Sequence, residues 1–109
     1  MWALGHSGTG IVVGSFDTGV DGTHPDLIPN YRGNHAISWF DPYGRHDEPY
    51  DNNGHGTHTT GTMVASGEFS GFLIGVAPGA RWIAAKGWND RDNATASAFH
   101  RIFEWFLAP

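Results

Sequence analysis

"GIVVGSFDTG", residues 10 to 19, decides how the rest of the chain is read. Ile11, Val12 and Val13 form an unbroken apolar run, the pattern of a parallel strand covered on both faces. The run ends in a glycine turn that carries Asp17. A carboxylate at the carboxyl end of a parallel strand stands where open α/β sheets place their sites. An aspartate before a glycine turn also reads as an Asx-turn, bonded to its own loop backbone. Taken alone, Asp17 is better described by the turn.

Outward from this strand, residues 20 to 34 read as loop, with Pro25 and Pro29 in it. "HAISWF", residues 35 to 40, reads as a second short strand, and residues 41 to 54 as a polar loop. A helix is predicted from Thr57 to Ser66 despite Gly61. A glycine there costs about 1 kcal/mol relative to alanine, which close packing against a strand would justify. Trp82 to Lys86 is the next strand. Asp92 or Asn93 is placed to cap a helix running to about Leu107. Phe99, Ile102, Phe103 and Phe106 fall on one face of that helix. Strands alternating with helices predict an α/β fold with a parallel sheet. No repeat or linker appears, so residues 1 to 109 are one domain or part of one.

Composition narrows the partners. The net charge is −5, Lys86 is the only lysine, and the five arginines are scattered, which argues against nucleic acid. With no cysteine there are no disulfides, thiolate metal sites or cysteine nucleophile. No apolar run reaches the length of a membrane span. The first residues, "MWALGHSGTG", lack the charged start and apolar stretch of a signal peptide.

The second informative stretch is "DNNGHGTHTTGTM", residues 51 to 63. His55 alone reads as a structural loop histidine. His58 lies one helical turn on, and two histidines at that spacing without a further ligand motif are weak evidence for a metal. His58 is expected to face its helix neighbours or the strand carrying Asp17. Asp17 and His55 together say more. A buried carboxylate holds an imidazole in one tautomer, and the imidazole then takes a proton from a hydroxyl nucleophile. The flanking glycines leave room for a tight backbone and for substrate. Asp41, Asp47, Glu48, Asp51 and Asp90 read as solvated loop charges. His24 is expected to be structural, and His35 and His46 belong to no clear constellation.

"VVGSFDTGVDGTHPDL", "NNGHGTHTTGTM" and "IGVAPGARWIAAK" resemble, in order and spacing, the Asp block, the His block and the following strand of the subtilisin-like serine proteases. The long insert before His55 is most similar to the bacillopeptidase F-like branch. The resemblance implies a partial three-layer α/β fold, a parallel sheet flanked by helices. It implies Asp17 as the triad aspartate and His55 as its general base. It implies an exported endopeptidase acting on polypeptides, with Trp88 either walling a substrate pocket or simply packing. No cofactor is required. A calcium loop usual in the family falls on Ser66 to Val76, where Glu68 and backbone carbonyls do not make up the six to eight oxygens calcium takes.

The family's nucleophile block is not found. Ser7, Ser15, Ser38, Ser66, Ser70 and Ser97 lie in no G-x-S-x-G or G-T-S context. The expectation is therefore the first third of a catalytic domain, inactive alone and completed by the missing C-terminal part. An open sheet edge and the Phe99, Phe103 and Phe106 face would otherwise favour self-association. The competing readings are a noncatalytic binding module of the same fold, a metallohydrolase using Asp17, His55 and His58, and a phosphate loop at "DTGVDGT".

Overall fold

The strand that opened the reading spans Val12–Asp17 (β1). A 3-10 turn follows at Ile28–Asn30. Next come a single helical turn, His35–Ser38 (α1), and a two-residue strand, Trp39–Phe40 (β2). His55–Val64 forms α2, Arg81–Lys86 forms β3, and Ala96–Leu107 forms α3. The computed structural model describes residues 5–67 and 74–107. The loop where the family usually has a calcium site, Glu68 included, lies largely outside the described residues. Among the described residues no helix is long and apolar enough to cross a membrane.

All three strands are parallel, in the order β1-β3-β2. Val12 faces Arg81 and Asp17 faces Lys86 in the β1–β3 register. Trp39 faces Ala84. The central strand β3 is buried from Trp82 to Lys86. Alanines at 84 and 85 let the layers approach closely. β1 departs from the expectation of burial on both faces. Ile11 is 58% and Val12 44% exposed. Among the described residues β1 is an edge strand, paired only with β3.

Alternation along β1 sends neighbouring side chains to opposite faces. Phe16 meets α3, with ring centroids 4.8 Å from Phe99 and 5.4 Å from Phe103. A Cβ on Gly14 would lie 2.7 Å from the Phe106 ring, so the helix rests directly on the strand. On the opposite face, Val13 packs with Val64, Ala65, Trp82 and Ala84 beneath α2. The result is three layers: helix, sheet, helix. Ile102 is fully buried, which contributes about 1.5–3 kcal/mol. Phe103, 60% exposed, and Leu107 have no such cover among the described residues.

Several local expectations are corrected. Residues 35 to 38 are helical rather than extended, because the Asn34 side chain accepts the Ala36 N–H (3.3 Å) and turns the chain for one turn. α2 begins at His55, two residues before Thr57, and stops at Val64. Neither Asp92 nor Asn93 caps α3. Asp92 sits in the left-handed region (φ 58°) of a tight turn, and Thr95 caps instead, its Oγ1 accepting the Ala98 N–H (3.1 Å). Gly61 is not a packing glycine, since a Cβ there would meet nothing within 4 Å.

Candidate active site

The first turn of a helix leaves backbone N–H groups without helical partners. In α2 each of the first three is satisfied by a side chain. His55 N–H donates to Asn53 Oδ1 (3.1 Å), Gly56 N–H to Thr18 Oγ1 (2.9 Å) and Thr57 N–H to Asp51 Oδ2 (2.9 Å). Gly54, the residue before the helix, is left-handed (φ 101°). Gly56 is required by contact. A Cβ there would collide with the carbonyl oxygen of Gly19 and sit 3.1 Å from Asp17 Cβ. That closeness brings His55 to the end of β1.

There His55 Nδ1 bridges both carboxylate oxygens of Asp17, at 2.8 and 2.9 Å. Asp17 also accepts the Thr18 N–H (2.7 Å) and the Thr59 hydroxyl (3.3 Å). Asp17 therefore bonds its own turn backbone and the His55 imidazole at once. The Asp17 side chain is 16% exposed and the His55 side chain 66%. No described residue bonds His55 Nε2, the outward nitrogen. The imidazole borders an open cleft of about 310 Å3, shared with Phe16, Thr18, Asn53, Trp88 and Asp92. Trp88 lines the cleft and also packs edge-on against Phe16 and Phe99, at 6.3 and 5.4 Å. None of the cleft residues is a serine.

His58 is not part of this arrangement. It borders a separate hollow of about 220 Å3 with His24, Leu27, Thr62 and Ala65. Among the described residues no three His, Cys, Asp or Glu side chains come together to hold a metal. His24 is structural as expected, its Nδ1 accepting the Asp26 N–H (3.2 Å).

Asp51, read from sequence as a solvated charge, is a hub. It accepts the Thr18 hydroxyl (2.8 Å), the N–H groups of Asn53 and Gly54 (3.0 Å each), and both N–H and hydroxyl of Thr57. Burial alone would raise its pKa. The bonds from Gly54, Thr57 and Asn53 outweigh that and hold the carboxyl below its ordinary range. Lys86, at the end of β3, is 1% exposed. Its ammonium donates to Thr18 O (2.7 Å) and Asn52 Oδ1 (2.5 Å) and lies 3.6 Å from Asp90. One buried cation thus ties the turn after Asp17 to the loop before His55. Asp90 in turn pairs with His46 Nε2 (2.8 Å), whose ring stacks on Tyr50. Asp41 accepts the N–H groups of Tyr43, Arg45 and His46. Of the five acids read as solvated, Asp41, Asp51 and Asp90 are engaged by hydrogen bonds, and Glu48 lies 3.8 Å from His35 Nε2 with both side chains exposed.

The family model described as the subtilase family matches residues 8–104. The chain belongs to the subtilase family. Bacillopeptidase F of Bacillus subtilis (strain 168) is 45% identical over 117 residues, covering 99% of this chain and 8% of its own length. Subtilisin Savinase of Lederbergia lenta is 38% identical over 101 residues, covering 93% of this chain and 34% of its own length. In the crystal structure of a cold adapted subtilisin-like serine proteinase, the matched part has a TM-score of 0.74 at 25% identity. It covers 94% of this chain and 34% of that one. The subtilase chain described here therefore spans about a third or less of the relatives it matches.

Within this subtilase chain the residues missed from sequence had weak signals. Asp51 stands six residues before Thr57, and the cap it supplies spans a glycine that breaks the usual helix-start pattern. Lys86 read only as the end of a strand. A lone lysine closing a buried strand was the sign available, because a buried ammonium requires partners.

Proposed function

We propose that this chain supplies the aspartate and histidine of an Asp-His-Ser triad in a subtilisin-like serine endopeptidase. The serine would come from a segment outside these 109 residues. The observation that carries this is the Asp17–His55 pair, 2.8 and 2.9 Å through Nδ1, with Nε2 turned to an open cleft. Asp17 orients the ring and stabilises its charged form, and His55 is the general base. His55 Nε2 takes the serine proton as Oγ attacks the scissile carbonyl carbon. It returns that proton to the amine as the C–N bond breaks. Water then repeats the sequence and frees the acyl group. Trp88 walls the cleft against the substrate chain. The side-chain amide that helps form the family's oxyanion hole would also come from a later segment, so the chain alone is inactive. Export to polypeptide substrates outside the cell fits this reading.

The test uses the product of the complete reading frame that contains this chain, beside the chain itself. A fluorophosphonate probe should label the complete product on a serine, and a chromogenic peptide should be cleaved. The His55→Ala variant should lose about 10⁶ in kcat, a magnitude measured on the triad of subtilisin itself. A complete product that neither labels nor cleaves sinks the proposal, as does full activity in His55→Ala. Its failure would favour the noncatalytic reading of the same fold.

A further inference from the structure

The loop that carries Trp88 has two sides. Trp88 and Asp92 border the cleft of Asp17 and His55. Asn89, Asp90 and Arg91 border a second hollow of about 590 Å3, closed on its far side by Tyr43 and Arg45. One loop is therefore a wall of both.

The frame of this hollow is braced. Asn89 Oδ1 accepts the N–H groups of Arg91 (2.9 Å) and Asn93 (3.0 Å), and Asn89 N–H donates to Asn93 O (2.8 Å). Opposite, Asp41 gathers the N–H groups of Tyr43 and Arg45, and the Tyr43 hydroxyl donates to Gly87 O (2.6 Å). Both arginine backbones are thus held while their guanidiniums have no carboxylate partner among the described residues. Other cations are engaged: Lys86 as described, Arg32 by Ser38 Oγ and Arg101 by Pro42 O. Arg81 also lacks an ion pair, but it stands at the opposite end of β3. Asp90, the acid that lines the hollow, is already occupied by His46 and Lys86, and Asp41 by three N–H groups. Both arginines are exposed, so their guanidiniums are open to a ligand that enters the hollow.

We propose that this hollow is a subsite for an acidic side chain of the polypeptide substrate, bound by Arg45 and Arg91. It rests on the proteolytic reading above and adds a substrate class to it. A guanidinium offers a planar fork of donors that matches a carboxylate. Because the hollow shares a wall with the cleft, the acid lies on the same peptide as the bond cut, within a few residues of it.

The experiment measures kcat/KM of the complete product on two peptide series. In one, a single glutamate steps position by position through a neutral sequence; in the other, glutamine does. At one position the Glu/Gln ratio should reach about tenfold, and it should shrink as salt rises. In the double variant Arg45→Gln, Arg91→Gln the ratio should fall to about 1, with an unchanged melting profile showing that the fold survives. A ratio near 1 at every position in the parent, or a preference that survives in the variant, overturns the subsite. If no peptide of either series is cleaved, the proteolytic reading itself has failed and the subsite goes with it.

Discussion

Two carboxylate–imidazole pairs lie on either side of Lys86, with the same closest distance of 2.8 Å. Asp17 and His55 form one, Asp90 and His46 the other. Their surroundings are opposite. In the first, the carboxylate is sheltered at the end of β1 and the imidazole is mostly exposed. In the second, the carboxylate is 42% exposed and the imidazole only 23%. His55 is held through Nδ1, so Nε2 points to the cleft. His46 is held through Nε2, its outer nitrogen, and its ring is stacked on Tyr50 at 3.9 Å. The first arrangement leaves a nitrogen free to move a proton. The second uses up that nitrogen and works as a latch between the 41–50 loop and the 88–92 loop. Distance alone does not make an acid–base pair. Which partner is buried, and which nitrogen is left over, decides.

The comparison breaks most sharply on the carboxylates. Asp17→Asn in the complete product should cost about 10⁴ in kcat, while Asp90→Asn should cost less than about tenfold and under about 1 kcal/mol of stability. Equal losses in a peptidase assay would erase the distinction. Lys86 touches both sides. Lys86→Met strands Thr18 O and Asn52 Oδ1, so a loss of about 2–3 kcal/mol is expected in urea melts, with kcat falling more than KM changes.

Within α2 two glycines sharpen the point about what holds His55. Gly56→Ala forces a Cβ into Gly19 O and should cost about 1–3 kcal/mol. Gly61→Ala fills open space and should stabilise by about 0.5–1 kcal/mol. A melt in which both variants destabilise equally would mean that α2 is not seated as described.

The smallest effect expected is in acid. The folded pKa of Asp51 is depressed below its ordinary value of 3.8. Its contribution is therefore fully present above 3.8 and is lost as pH falls through the lower folded value. Asp51→Asn should lower stability near neutrality by about 1 kcal/mol, as loss of a helix cap does. It should also flatten the decline below pH 3.8. An unaltered acid profile would show that another carboxylate governs it.

The candidate pair was legible because each member sits in a short stretch with its own signal. "FDTG" marks a strand end, and "GHGTH" marks a glycine-flanked helix start. The strand read as Trp82 to Lys86, observed as Arg81–Lys86, and the helix face of Phe99, Ile102 and Phe106 followed from local pattern, whereas Phe103 is 60% exposed. The errors also have local causes. Ile11 and Val12 are apolar but border an edge, and apolarity does not say whether a neighbouring strand is present. Gly61 was assigned a packing role that belongs to Gly56, since a glycine's neighbours lie far away in sequence. Asp51 and Asp90 looked like loop charges because their partners, Thr18 and His46, are 33 and 44 residues distant.

By itself the sequence determined the order of the longer strands and helices, the candidate residues Asp17 and His55, and the family they point to. These depend on periodicity and turn chemistry, which are properties of neighbouring residues. Only the tertiary structure decided that Lys86 joins the loops around that pair, that Asp51 caps the helix bearing His55, and that His46 is a latch rather than a base. Each of these depends on which polar groups become buried together. Burial arises when distant segments meet, and it leaves no periodic mark on either segment alone.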